Sequence, residues 1–298
     1  MPSSVSTSPS ATTRPQDSGS PGSTRPERFV IKVGGSLGAE MTRACADIAD
    51  LVRQGAEVVV VHGGGAEADR LAAELGRPVR RLTAPDGRHS RYTDAPALDA
   101  LVMAMLGRVK PALVTELTGA GVRAVGLSGN DGSLVTARRT PPVRAVVDGV
   151  ERVVRDDFSG RIKDVDPALL LTLLGGGYVP VVSPPARDAA GGLLNVDADR
   201  FAARLAAALA ADWLIILSNV PGLLRDPADP DSLVAEVPGE ELDTYLDGTG
   251  GRMKVKLRSA GEAFLAGVAH VVLADGRLDS PVLAARKGAG TTFVRGAA

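Results

Sequence analysis

The 298-residue chain has a single cysteine, Cys45, so no disulfide can form within it. One thiol and no bridge fit a reducing compartment, and the expected location is the cytoplasm. Aromatic residues make up only 3%, so the core must be built from Val, Leu, Ile and Ala. Neither sign of charge is in excess, the formal net charge being −1. Bulk charge therefore draws neither nucleic acid nor a membrane, and neither is expected as a partner. Long hydrophobic runs are missing too. The most apolar stretch, 201–217, holds Arg204 and Asp212 and is shorter than the ~20 residues needed to cross a bilayer. The first residues lack the apolar segment of a secretory signal. Ser, Thr and Pro dominate up to Arg28 instead, so residues 1–28 are expected to form a disordered tail.

What is present is an alternation. FVIKV from Phe29 reads as a buried strand ending at Gly34-Gly35. A helix follows with Met41, Cys45, Ile48 and Val52 on one face. Cys45 on that face is expected to be a small core residue. EVVVVH (57–62) is a second strand and runs straight into Gly63-Gly64-Gly65. A helix through Leu75 comes next. A long helical region then opens near Asp94, with Pro96 in its first turn and Pro111 expected to kink or divide it. VRAVGLS from Val122, YVPVVSPP from Tyr178, WLIILS from Trp213, HVVLA from His270 and TTFV near the end read as further strands. Asp166-Pro167 is expected to cap a Leu-rich helix that ends in Gly175-Gly176-Gly177, and further helices are expected over 197–211 and about 251–267. Between 133 and 155, LVTARR, VRAVV and ERVVR suggest antiparallel hairpins, with Asp148-Gly149 as a type I′ turn. Strands alternating with helices argue an α/β fold with a mostly parallel sheet covered on both faces, the hairpins forming a small lid.

In open α/β sheets, ligands sit at the carboxyl ends of the strands. Three such ends here are small or polar: IKVGGS (31–36), VHGGG (61–65) and LSNVPG (217–222). Glycines there let backbone N–H groups approach an anion, and helices begin just beyond. Each glycine pair alone also fits an ordinary turn. The usual phosphate signatures, GxxxxGK[ST] and GxGxxG, are absent. Lys32 lies inside an otherwise apolar strand. A buried ammonium needs an anion, which a structural ion pair or a bound phosphate would supply. Asn195, Asp197 and Asp199 open the Ala-rich helix, and helix capping explains only one of the three. Lys254 and Lys256 open the later helix, where a solvated basic face is the plain alternative. His62 reads as a strand-end residue, and His89 and His270 as surface or structural ones. No Cys/His metal spacing exists.

Together, IKVGGS, VHGGG, LNVDAD, LSNVPGLL and GGRMKVK resemble, in order and approximate spacing, the amino acid kinase family. The likeness runs from Phe29 to the C-terminus. It implies a three-layer αβα sandwich around a central, mainly parallel sheet, with an acceptor-binding lobe at about 29–185 and an ATP-binding lobe at about 186–298. Within the family the chain is similar to the acetylglutamate kinase group, as SRYTD (90–94), VGLSGNDG (125–132), VVSPPA and LADGR (273–277) also suggest. Asp197 and the arginine before Met253 favour the branch acting on 2-aminoadipate or glutamate held on a LysW-type amino-group carrier protein. The alternatives are an N-acetylglutamate kinase and a nucleotide-sensing subunit without catalysis. Retention of Lys32, Lys256 and Asp199 argues against the last.

The resemblance implies ATP and Mg²⁺, the metal riding on the nucleotide, and a homodimer. Lys32 and Lys256 would flank the transferring phosphoryl, with Lys254 the runner-up for Lys256, and Asp199 would orient both. Gly64 and Gly65 would offer N–H groups to the phosphoryl and the attacking carboxylate. Gly34, Gly35 and Ser36 would hold ATP phosphates, and Ser218, Asn219 and Gly222 would shape the nucleotide site. Arg91 would grip the substrate α-carboxylate and Asn195 its backbone. Carriers of this type are acidic, so Arg77, Arg80, Arg81, Arg88, Arg91, Arg138, Arg139 and Arg144 are expected to form a docking patch. Scattered solvated arginines are the alternative.

Overall fold

The structure is a computed structural model that describes residues 25–34, 38–84, 87 and 89–296. The first half comprises β1 (Arg28–Val33), α1 (Ala39–Arg53), β2 (Glu57–His62), α2 (Gly65–Glu74), β3 (Arg81–Thr83), β4 (His89–Arg91), α3 (Ala95–Ala104), α4 (Lys110–Gly119), β5 (Ala124–Ser128), β6 (Val135–Arg139), β7 (Val143–Val147) and β8 (Val150–Val154). Then come β9 (Gly160–Val165), α5 (Ala168–Gly175), β10 (Val179–Ser183), β11 (Ala186–Arg187), β12 (Leu193–Leu194), α6 (Ala198–Ala208), β13 (Trp213–Ser218), β14 (Glu236–Pro238), α7 (Leu242–Asp247), α8 (Gly251–Leu265), β15 (His270–Asp275), α9 (Pro281–Arg286) and β16 (Thr291–Val294).

One eight-stranded sheet has the order β14-β16-β15-β13-β1-β2-β10-β5. From β15 to β5 every pairing is parallel; β16 runs antiparallel to β15. Alternation along the strands supplies two cores. Val30, Val59, Val61, Val182, Leu214 and Ile216 face α5, α6 and α8. Phe29, Ile31, Val58, Val60, Val181 and Ile215 face α1, α4 and α9. This is the expected three-layer sandwich. Cys45 is buried in the second core, where burial pushes its thiol up to about 12.

Two expectations change. Residues 1–24 of the expected tail lie outside the described residues, but 25–28 belong to the fold. Arg25 pairs with Asp212 at 2.7 Å, and Arg28 opens β1 and pairs with Glu57 at 2.7 Å. LVTARR does not form a hairpin with VRAVV. Pro141 and Pro142 separate the two, and neither can donate to a ladder. β6 instead pairs with β9 and β11, while β7 pairs with β3 and β8. The β7–β8 turn is as expected, with left-handed φ of 53° at Asp148 and 80° at Gly149. Pro111 divides its helix by widening it. Met105–Val109 is a π-helical segment between α3 and α4, just where the proline lacks its N–H.

Candidate active site

Alternation places Lys32 on the face of Val30, under α6 and α8. α6 carries Asp199 in its first turn and α8 carries Lys256 in its second. The three meet. Lys32 Nζ lies 3.0 Å from Asp199 Oδ1, and Lys256 Nζ donates to Asp199 Oδ2 at 2.8 Å. The Lys32 contact is an ion pair without hydrogen-bond alignment, since Asp199 Oδ1 has no hydrogen-bond partner. Lys32 and Asp199 are 8% and 7% exposed. Burial opposes charge on Asp199, but Lys32 and Lys256 outweigh it and hold the carboxyl down at about 2. Burial, and then the Lys32 charge, push the Lys256 ammonium below its usual range. Two cations, Lys32 buried and Lys256 largely so, thus share one carboxylate. Lys254 has no ion-pair partner among the described residues.

The polar triplet of the sequence separates into three jobs. Asp197 is the α6 cap, accepting from the N–H groups of Asp199 and Arg200 at 3.0 Å each. Burial and the Asp199 charge raise its carboxyl. Asp199 serves the lysines. Asn195 donates through Nδ2 to Thr93 Oγ1 at 3.1 Å and so ties the start of α6 to the segment leading into α3.

Gly64 and Gly65 open α2. A Cβ on Gly64 would sit 2.6 Å from Met105 Cγ, so the close approach of the π-helical segment requires glycine there. Among the described residues, no acceptor meets the Gly64 N–H. Arg91 reaches the same place from β4. Its Nη2 donates to the Gly65 carbonyl at 2.9 Å and pairs with Asp69, while its buried Nη1 has no partner. Such an orphaned N–H fork suits a carboxylate.

On the other side, Gly34 follows β1 into open space, with nothing within 4 Å of an added Cβ. Gly35 and Ser36 lie outside the described residues. Ser218 ends β13, and its hydroxyl stands 3.3 Å from the Val220 N–H; Asn219 is exposed. Gly222 is buried, and its Cβ would meet Thr291 Oγ1 at 2.6 Å, so packing alone accounts for that glycine.

The expected arginine patch shrinks. Arg80 turns onto Asp94 and the Tyr92 ring, and Arg139 bonds the Asp157 carbonyl and covers Phe158. Arg91 is spent in the site. Arg88 lies outside the described residues. Arg77, Arg81, Arg138 and Arg144 are exposed or at the surface. Residue-by-residue reading missed two groups. His62 is fully buried and bridges the Gly63 carbonyl, at 2.7 Å, to Ser183 Oγ, at 2.8 Å. Lys110 is half-buried over Gly126.

Residues 27–275 match the model of the amino acid kinase family. A [LysW]-aminoadipate kinase of Deinococcus radiodurans is 44% identical, covering 88% of this chain and 90% of its own. An acetylglutamate kinase of Myxococcus xanthus is 38% identical, covering 91% and 90%. A solved N-acetylglutamate synthase of Neisseria gonorrhoeae, complexed with coenzyme A and N-acetyl-glutamate, superposes with a TM-score of 0.74 at 27% identity, over 91% of this chain and 60% of that one.

Proposed function

This chain belongs to the amino acid kinase family, and from that premise we propose that it moves the γ-phosphoryl group of ATP onto a side-chain carboxylate. The acceptor is 2-aminoadipate or glutamate held on a LysW-type amino-group carrier protein, and the product is an acyl phosphate. Fold alone does not carry this, since a synthase shares it. The observation that carries it is the buried trio. Lys32 and Lys256 bring two positive charges to one Asp199 carboxylate, and the surplus positive charge calls for an anion. A γ-phosphate supplies it.

The chemistry asks little else of the protein. The acceptor carboxylate is already a nucleophile, so no general base is needed. Its oxygen forms a bond to γ-phosphorus while the bond to the bridging oxygen breaks, and ADP leaves with that electron pair. The two lysines balance charge on the passing phosphoryl, and Asp199 keeps them apart and aimed. Gly64 and Gly65 face the reacting groups with backbone N–H. Arg91 Nη1 receives the substrate α-carboxylate, and Asn195 and Thr93 border its backbone. Gly34, Ser218 and Asn219 line the nucleotide side. Among the described residues no group of His, Cys, Asp or Glu is built to hold a metal. Mg²⁺ fits as a companion of the nucleotide phosphates, neutralising charge there.

No helix among the described residues is long and apolar enough to cross a membrane. The reading includes a homodimer in the cytoplasm, which light scattering and fractionation test. The activity is tested by trapping acyl phosphate as hydroxamate with ATP and each acceptor. Turnover of the carrier-linked amino acid, and not of free N-acetylglutamate, is expected. The reverse pattern would move the chain to the acetylglutamate kinases. ATP binding with no turnover of any acceptor would make it a sensor.

A further inference from the structure

A buried relay runs beneath the glycine loop and has no part in the chemistry described so far. Ser183, at the end of β10, holds His62 through its side chain, and its carbonyl accepts from the Gly129 N–H at 3.0 Å. His62, at the end of β2, holds the carbonyl of Gly63. The relay therefore ties three strand ends together. Both side chains are fully buried.

The relay fixes one tautomer. A carbonyl oxygen only accepts, so His62 Nδ1 must carry the proton, and Nε2 must accept from the Ser183 hydroxyl. Burial pushes the imidazole down to about 4, with the Lys110 and Lys32 ammonium groups also opposing its charge. The ring is neutral at any working pH. The peptide after it is then also fixed. In a trans peptide the C=O and the next N–H point in opposite directions. His62 alternates with Val61 and lies on the α4 side of the sheet, with Val58 and Val60. Pulling the Gly63 carbonyl to that side turns the Gly64 N–H toward the side of Lys32, where no acceptor among the described residues meets it.

We propose that His62, held by Ser183, is a positioning residue that aims the Gly64 N–H at the transferring phosphoryl group. The inference rests on the kinase reading above. It assigns His62 no proton transfer. Its contribution is a preset donor, whose value lies in needing no reorganisation as charge develops.

Two near-isosteric variants separate positioning from packing. In His62→Asn the side-chain amide can stand where Nδ1 stood and still donate to Gly63. In His62→Gln it falls where Nε2 stood and cannot. Removing an aimed donor of this kind costs roughly 10²–10³ in kcat, and misdirecting one should cost roughly tenfold or more. His62→Asn is expected to keep kcat within about threefold of the parent, and His62→Gln to lose about tenfold or more, with ATP KM little changed in either. Ser183→Ala should fall between them. In protein labelled with ¹⁵N-histidine, which has three histidines, His62 should show the Nδ1–H tautomer and hold it down to pH 5. Equal kcat in the Asn and Gln variants, or an Nε2–H tautomer in the parent, would overturn the proposal. A parent without turnover would instead sink the kinase reading on which it rests.

Discussion

At the residue scale, Asp199 is the hinge of the site, because it is the common partner of both lysines. Asp199→Asn leaves two buried ammonium groups without a counter-charge, and breaking a buried pair costs about 3–5 kcal/mol. An unfolding free energy lowered by that amount in denaturant titration is expected, together with loss of turnover. Lys256→Ala keeps the Lys32–Asp199 pair, so it should fold while kcat falls about a hundredfold or more. His62 gives the fold a pH dependence of definite sign. Its folded value near 4 lies below the unfolded 6.5. Between these limits the unfolded chain binds more protons, so stability is full above pH 6.5 and is lost as pH falls toward 4. Unfolding at pH 7 and pH 4.5 should differ by about 2–3 kcal/mol more in the parent than in His62→Gln. Lys32 was legible in the sequence because a charge inside an apolar strand demands a partner. His62 was not. A histidine ending a strand carries no pattern, and its partner Ser183 lies 121 residues away.

At the element scale, the site depends on where strands end and helices begin, and those ends were legible from Gly34, Gly63–Gly65 and the capping aspartates. The π-helical segment was only half legible. Pro111 announces a disruption, but whether the helix kinks or widens depends on what packs against it, here Gly64. Gly64→Ala forces a Cβ to 2.6 Å from Met105 Cγ. Overpacking of this kind costs about 1–3 kcal/mol, and Met105→Ala in the same chain should recover most of it in the melting temperature. The lid misled because antiparallel propensity does not name a partner, and β6 pairs across the chain with β9. α9 shows a similar long-range dependence. No side chain of its own caps it; Asp47 on α1 accepts from Val282 and Leu283 at 2.8 and 3.1 Å. Asp47→Ala should cost about 1–3 kcal/mol in urea denaturation, the toll of unmet buried N–H groups.

At the scale of the whole molecule, residues far apart in sequence make one charged centre. Arg138 and Arg161 stand directly opposite each other on β6 and β9, with no ion-pair partner among the described residues. Like charges in register repel, and an acidic carrier would relieve them. Reversing both to Glu should lower kcat/KM for the carrier-linked substrate and flatten its salt dependence, with ATP KM unchanged. An unaltered salt dependence would place docking elsewhere. The pairing of the two lysines across one phosphate is tested most directly by a crystal structure with AMP-PNP and Mg²⁺. Both Nζ atoms should lie within about 3 Å of γ-phosphate oxygens while still touching Asp199. A γ-phosphate bound with either lysine out of reach would contradict it.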